Sequence, residues 1–173
     1  SLRLTMNQQL LQSIVEEIRS EAAENFLGKL FQLSPFSFAI DLGLRGRFLF
    51  VSVEPSSPRL YLIRRKVKEL DKLSIPLSPF GQLLRSQLGG GEMLNCEKLP
   101  GERVVKFTFR VVDELGTPHV RHLIAQLTGR SANLLLVDDS NRISAALRSP
   151  KGPGQNLGED YQPPPQQEMV ISE

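Results

Sequence analysis

From residue 103 to 113 the chain alternates with a period of two, and this pattern constrains the fold more than any other. Val105, Phe107, Phe109 and Val111 share one face, while Val104, Lys106, Thr108 and Arg110 share the other. Such alternation predicts a strand with one side in a core and the other towards water. Pro100-Gly101-Glu102-Arg103 stands at its mouth, so an acid and a base open the strand. A strand start is a rigid platform that can hold Glu102 and Arg103 at a fixed angle towards a partner. The competing reading is a surface ion pair, individually weak.

The neighbouring segments supply partners for that strand. Residues 5–24 read as an amphipathic helix with Leu10, Leu11, Ile14, Val15 and Ile18 in one stripe, started by Asn7 or Thr5 as cap. Short strands are expected at 28–33, 36–42, 47–53 and 59–63, with Gly43-Leu44-Arg45-Gly46 as a hairpin connection. Ser78-Pro79-Phe80 opens a second helix with Ser78 as cap, and Gly89-Gly90-Gly91 ends it. Further strands follow at 92–99, 103–113, 119–127, 133–137 and 142–147, with turns at Gly116-Thr117-Pro118 and Asp138-Asp139-Ser140-Asn141. Two helices and about nine short strands make an α+β fold, with enough strands for a two-sheet sandwich or flattened barrel. From Pro150 onwards Gly, Pro and Gln dominate, which reads as a linker or extended strap.

Composition narrows the class. A chain of 173 residues with 40% hydrophobic and 23% charged residues fits one soluble globular domain. No run approaches the roughly 18 apolar residues that span a bilayer, and no secretory signal pattern stands at the start. The single cysteine, Cys96, excludes an internal disulfide framework and fits a reducing compartment. Net charge is only +2, but residues 59–72 hold six cations against two acids, a local +4. Such a patch engages phosphates or is a solvated loop or helix face.

Catalytic patterns find little support. One Cys and two His give no zinc-like ligand spacing, and His119 and His122 lie on opposite faces of one strand. There is no nucleophile elbow and no phosphate-cradling Gly-x-x-x-x-Gly-Lys loop. Gly89-Gly90-Gly91 follows a helix instead of preceding one, and Asp138 and Asp139 read as turn formers. The expectation is a non-enzyme without metal or cofactor. What remains for a phosphate-rich partner is Arg103, the 59–72 cluster, and Thr128-Gly129-Arg130-Ser131-Ala132-Asn133, a Gly-containing loop with side-chain donors or else a simple turn.

These segments, in this order, resemble the N-terminal domain of the NFACT family, also called the fibronectin-binding protein A N-terminal family. Phe48-Leu49-Phe50-Val51-Ser52-Val53-Glu54-Pro55-Ser56-Ser57-Pro58-Arg59 resembles the family's apolar strand, Ser-x-x-Pro and basic residue. Phe80-Gly81-Gln82-Leu83-Leu84-Arg85-Ser86-Gln87-Leu88-Gly89-Gly90 is similar to its Phe-x-x-Leu-Leu-Arg-Lys-x-Leu-x-Gly-Gly helix. Glu102-Arg103 falls on its Asp-Arg pair, and residues 128–133 fall on its Met-Gly-Arg-His-Ser-Asn loop. Leu157-Gly158-Glu159-Asp160-Tyr161 with Pro163-Pro164 looks like its closing Pro-Gly-x-x-Tyr-x-x-Pro-Pro.

The resemblance implies a two-sheet antiparallel β-sandwich flanked by helices, similar to the N-terminal domain of formamidopyrimidine-DNA glycosylases. It implies a globular unit over 1–152 and a strap over 153–173 that leads to helix-hairpin-helix, coiled-coil and RNA-binding parts. It further implies a cytoplasmic ribosome quality-control factor that engages tRNA and the 50S subunit and supports template-independent tailing of stalled chains. Carried over by position, the nucleic-acid-binding residues are Glu102, Arg103, Arg130, Asn133, Arg85 and Asn7. The sequence departs from the family at three of its polar positions: Glu102 replaces Asp, Asn7 replaces an acid, and Ser131 replaces His. The glycosylases attack with an N-terminal Pro followed by Glu, and Ser1-Leu2 provides neither. An adhesive or protein–protein interaction module, working by strand addition at exposed edges, is the alternative.

Overall fold

Asn7 starts the first helix, α1 (Gln8–Ala22), by accepting hydrogen bonds from the Gln9 and Leu10 amides at 2.7 and 3.4 Å. In the computed structural model, residues 6–150 and 152–165 are described, so Thr5, Ser1-Leu2 and the tail 166–173 lie outside the described residues. α1 buries Leu11, Val15, Ile18 and Ala22, a stripe of spacing four, three, four. Leu10, expected in that stripe, is 54% exposed, because the stripe is centred one position further along.

Two meanders follow. β1 (Leu30–Ser34), β2 (Ser37–Ile40), β3 (Arg47–Ser52) and β4 (Arg59–Arg64) form a four-stranded antiparallel sheet in chain order. A second helix, α2 (Val67–Leu73), and a third, α3 (Pro79–Leu88), lead to the second sheet. That sheet is β5 (Glu92–Lys98), β6 (Val104–Val112), β7 (Pro118–Gln126), β8 (Asn133–Val137) and β9 (Ile143–Ala146), again antiparallel and in chain order. A short 3-10 turn, Gly129–Ser131, joins β7 to β8. The result is an α+β, two-sheet antiparallel sandwich with flanking helices, the fold that the family resemblance implies and one of the two that the strand count allows.

The core lies between the sheets. Phe38, Ile40, Leu49 and Val51 from the first meet Val105, Phe107, Phe109, Leu123, Leu134 and Leu136 from the second. α1 closes one side by packing along β5 and β4. Arg47 ties its second half to β3, with Nη2 donating to Glu21 Oε1 at 2.8 Å and Nη1 to Glu17 Oε1 at 3.3 Å. Hydrogen bonding from Arg47 holds the Glu21 carboxyl below the usual carboxylate range.

Two features differ from expectation. Val104, on the supposed water face of β6, is fully buried in a second cluster with Ile124, Leu135, Val137, Ile143 and Tyr161. The cover is the segment after Pro150, which folds back over the sheet. Ile143 N–H donates to Glu159 O at 3.0 Å, Gly158 N–H to Ile143 O at 2.8 Å and Tyr161 N–H to Asn141 O at 2.8 Å. The segment thus contributes a core residue, Tyr161, despite its loop-like composition. The second difference is α2, a helix beyond the two expected. It sets Leu70 against Phe31, Ala39 and Phe48 on the outer face of the first sheet. Leu70 is its one buried residue, so no apolar stripe marks it in the sequence.

Cys96 sits in the main core opposite Phe107, and burial pushes its thiol up to about 12. A thiolate reagent such as DTNB is expected to label the native domain at least about 100-fold more slowly than the urea-unfolded chain, since labelling requires opening. Rapid stoichiometric labelling of native protein would contradict this placement.

Candidate nucleic-acid interface

Sheet register decides which loops become neighbours. Val104 pairs with Gln126, and Gln126 pairs with Asn133, so the β5–β6 turn and the β7–β8 loop share one end of the second sheet. The Leu127 N–H donates to Arg103 O at 2.8 Å across them. The start of α1 arrives at the same place. Gln8 Nε2 donates to Gly101 O at 3.1 Å, and Lys98 Nζ donates to Gln8 Oε1 at 3.1 Å. Lys98 Nζ also reaches Leu99 O and Glu102 O, each at 3.0 Å. Gly101, at φ 72°, allows the turn this tight reversal. Asn7, Glu102, Arg103 and Arg130, from three separate segments, therefore converge.

Glu102 and Arg103 are each half-buried, and among the described residues no ion pair joins them. This replaces the surface-pair reading, in keeping with the opposite directions that successive side chains take on entering a strand. Glu102 lies instead near Tyr161. Burial raises the Tyr161 phenol well above its ordinary value, and the Glu102 charge adds to that.

Arg130 is exposed at the crest of the 3-10 turn. Its loop is locked from below. Thr128 Oγ1 and Ser131 Oγ are 2.6 Å apart, turning Ser131 inward. Buried Gln126 donates to Ser131 O at 2.6 Å and to Gln155 Oε1 at 2.8 Å, and accepts from the Tyr161 hydroxyl at 2.7 Å. Arg148 Nη1 donates to Arg130 O at 3.1 Å and to Ala132 O, with its guanidinium 5.7 Å from the Phe36 ring centroid. Gln126, Gln155 and Arg148 were not singled out from sequence, since a Gln or Arg in or beside a strand carries no local mark of the loop it supports.

Of the other two predicted site residues, one is turned inward at this end and one falls elsewhere. Asn133 is 3% exposed, and its side chain is spent within the loop closure. It accepts from the Leu134 and Arg148 amides at 2.9 Å each and donates to Arg148 O at 3.1 Å. Asn133 is thus a loop tie and not a surface donor. Arg85 lies within a turn of Gln87, whose carbonyl accepts from Arg121 at 3.2 Å. Arg121 pairs with Phe109, six residues along from Arg103, or roughly 20 Å at strand rise. Arg85 does not join the cluster.

At that far end lies a cleft of about 610 Å³ lined by Phe26, Arg110, Val112, Leu115, His119 and Arg121 among others. His119 Nε2 is 2.8 Å from Asp113 Oδ2, and this bond holds the Asp113 carboxyl below its usual range. His122 faces Thr108 instead, at 2.9 Å. Among the described residues no group of three or more His, Cys, Asp or Glu is arranged to hold a metal. Nor is any described helix long and apolar enough to cross a membrane.

Known proteins share this layout. The Rqc2 homolog RqcH of Streptococcus pneumoniae serotype 2 (strain D39 / NCTC 7466) is 29% identical over 172 residues, covering 92% of this chain and 30% of that protein. The Rqc2 homolog RqcH of Bacillus subtilis (strain 168) is 26% identical over 130 residues, covering 70% of this chain and 22% of its own length. The chain thus spans less than a third of the curated relatives it matches. Among solved structures, the N-terminal domain of fibronectin-binding protein PavA from Streptococcus pneumoniae aligns with a TM-score of 0.80 at 25% identity, covering 95% of this chain and 66% of that one. The fibrinogen-binding protein from Staphylococcus aureus aligns at 0.74 and 22% identity, over 91% and 56%, and shares the fold. The sequence pattern of the NFACT N-terminal and middle domains matches residues 8–172, and the chain belongs to that family.

Proposed function

We propose that this domain is a non-enzymatic RNA-binding module of a cytoplasmic, ribosome-associated quality-control factor. It engages tRNA and the 50S subunit through Arg103 and Arg130, in support of template-independent tailing of stalled chains. The observation that carries the reading is the convergence of two loops, fixed by backbone and buried side-chain bonds, that carry Arg103 and Arg130, whose guanidinium groups have no protein partner among the described residues. Arg suits the task, because its planar fork holds a phosphate at two points. Glu102, which leaves the strand on the side opposite Arg103, accepts from a sugar or base that reaches that side. Asn7 reaches the cluster as a helix cap whose side-chain oxygen accepts from the Gln9 and Leu10 amides. The name Rqc2 homolog RqcH, borne by relatives at 26–29% identity, supports the same reading.

Fluorescence anisotropy of labelled tRNA tests it. Binding is expected to fall steeply between low and physiological salt. Arg103→Ala is expected to weaken it about tenfold and to reduce the salt slope by about 1. Equal affinity for a matched DNA duplex, or indifference to Arg103→Ala, would overturn the reading. The name fibronectin-binding protein, borne by the PavA neighbour at 25% identity, suggests a second reading, a protein-binding module, for which strand addition is the candidate mode. That mode would be nearly indifferent to salt.

A further inference from the structure

The outer face of the four-stranded sheet is only half covered. α2 lies over Phe31, Ala39 and Phe48, with Ile63 packed beside them. The cross-strand row Phe31, Ala39, Phe50, Tyr61 runs out from beneath it towards the β4 edge. At that open end the Phe50 and Tyr61 rings stand 5.3 Å apart at 36°, and the Arg59 guanidinium lies 5.3 Å from the Phe50 ring centroid. Tyr61 is 37% exposed. After β4 come Arg65, Lys66 and Lys68, all exposed and without an ion pair among the described residues, whereas Arg64, the last residue of β4, shares the inner side of the strand with Leu60 and Leu62 and its charge acts on Glu21 of α1. The 59–72 cluster that the sequence singles out is therefore divided. Arg59 belongs to an aromatic stack, Arg64 turns to the α1 side, Lys72 and Asp71 lie on α2, and Arg65, Lys66 and Lys68 stand together at its entry.

We propose that this face is a binding site for single-stranded RNA, with bases on Tyr61, Phe50 and Arg59 and phosphates on Arg65, Lys66 and Lys68. Aromatic rings and guanidinium planes on an open sheet accept splayed bases without regard to sequence, and neighbouring cations follow the backbone. An apolar protein partner would have no use for three cations beside the rings that lack an ion pair among the described residues. The choice of RNA over DNA rests on the function proposed above. The site itself is separate from Arg103. The Leu60 N–H of β4 meets Met6 Sδ at 3.4 Å, while Gln8, two residues on, bonds Gly101 of the β5–β6 turn. Met6 and Gln8, on either side of the α1 cap, thus touch the β4 edge and the β5–β6 turn respectively.

The chain has no Trp and two Tyr, of which Tyr161 is buried, so tyrosine emission reports Tyr61 stacking directly. A 12-nucleotide oligouridine is titrated into the domain with intrinsic emission and anisotropy read together. Quenching is expected for the unchanged chain and is lost in Tyr61→Phe, while anisotropy affinity persists in that variant. Tyr61→Ala is expected to weaken binding about tenfold with an unchanged salt slope. The Lys66→Gln, Lys68→Gln double variant is expected to lower that slope by about 1.4. Slow Cys96 labelling certifies that each variant is folded. Absence of quenching, or Tyr61→Ala binding as well as the unchanged chain, overturns the proposal. Equal binding of oligothymidine overturns the choice of RNA, and failure to bind at low salt makes the face a protein contact. Arg103→Ala leaves the quenching intact, so the two sites fail separately.

Discussion

Gln126→Leu is expected to lower the unfolding free energy by about 3 kcal/mol, although Leu nearly matches Gln in volume. The loss comes from polar groups that the Gln side chain alone satisfies. With it removed, the Ser131 carbonyl loses a donor at 2.6 Å, Gln155 loses one at 2.8 Å, and the Tyr161 hydroxyl loses its acceptor at 2.7 Å. Each buried orphan costs about 1–3 kcal/mol, and the half-buried Ser131 end relaxes towards water, which keeps the sum near the lower bound. Urea unfolding measures this as a drop in midpoint at constant slope. Tyr161→Phe removes one hydroxyl only and is expected to cost about 1 kcal/mol. A change below about 0.5 kcal/mol in Gln126→Leu, the usual range for surface substitutions, would show that the loop does not depend on the network.

The second large effect is expected at Phe107→Ala, about 4 kcal/mol. Phe107 is central to the sandwich, with Cys96 and Leu123 as its cross-strand neighbours. Truncation removes apolar area and leaves a void beside the thiol that rigid strands on both sides cannot close. Cys96 labelling is expected to accelerate in this variant, whereas in Tyr61→Ala it remains slow. If urea unfolding registered less than about 1.5 kcal/mol, the ordinary cost of a volume-conserving swap, the strand would not be central.

The sequence was informative where a residue's fate depends on its near neighbours. Val105, Phe107 and Phe109 occupy the face that their alternation assigns, because a strand has two faces and one of them must be buried. Ser78 and Asn7 cap helices as their position implies. The failures all concern long-range partners. Val104 looks solvent-facing until Tyr161, more than fifty residues later, covers it. Leu70 anchors a helix that has no second buried residue to reveal it. Asn133 reads equally well as a surface donor or as a loop tie, and only Arg148, brought alongside by the β8–β9 pairing, decides between them. Convergence of Asn7, Glu102, Arg103 and Arg130 depends on register and helix docking, neither of which a single sequence displays.

Strand order carries a further implication for how this chain is made. Each sheet is continuous in sequence, so its pairings form between segments synthesised one after another. α1 is the exception: it precedes both sheets in the chain, yet it packs chiefly along β5, which ends at Lys98. At about 5–20 residues per second, the apolar stripe of Leu11, Val15 and Ile18 waits roughly 4–15 s for its partner strand. The nascent chain therefore presents a sticky helix throughout the synthesis of its first sheet. Shelter for that helix, from the ribosome surface or a chaperone, is a requirement written into the order of the elements.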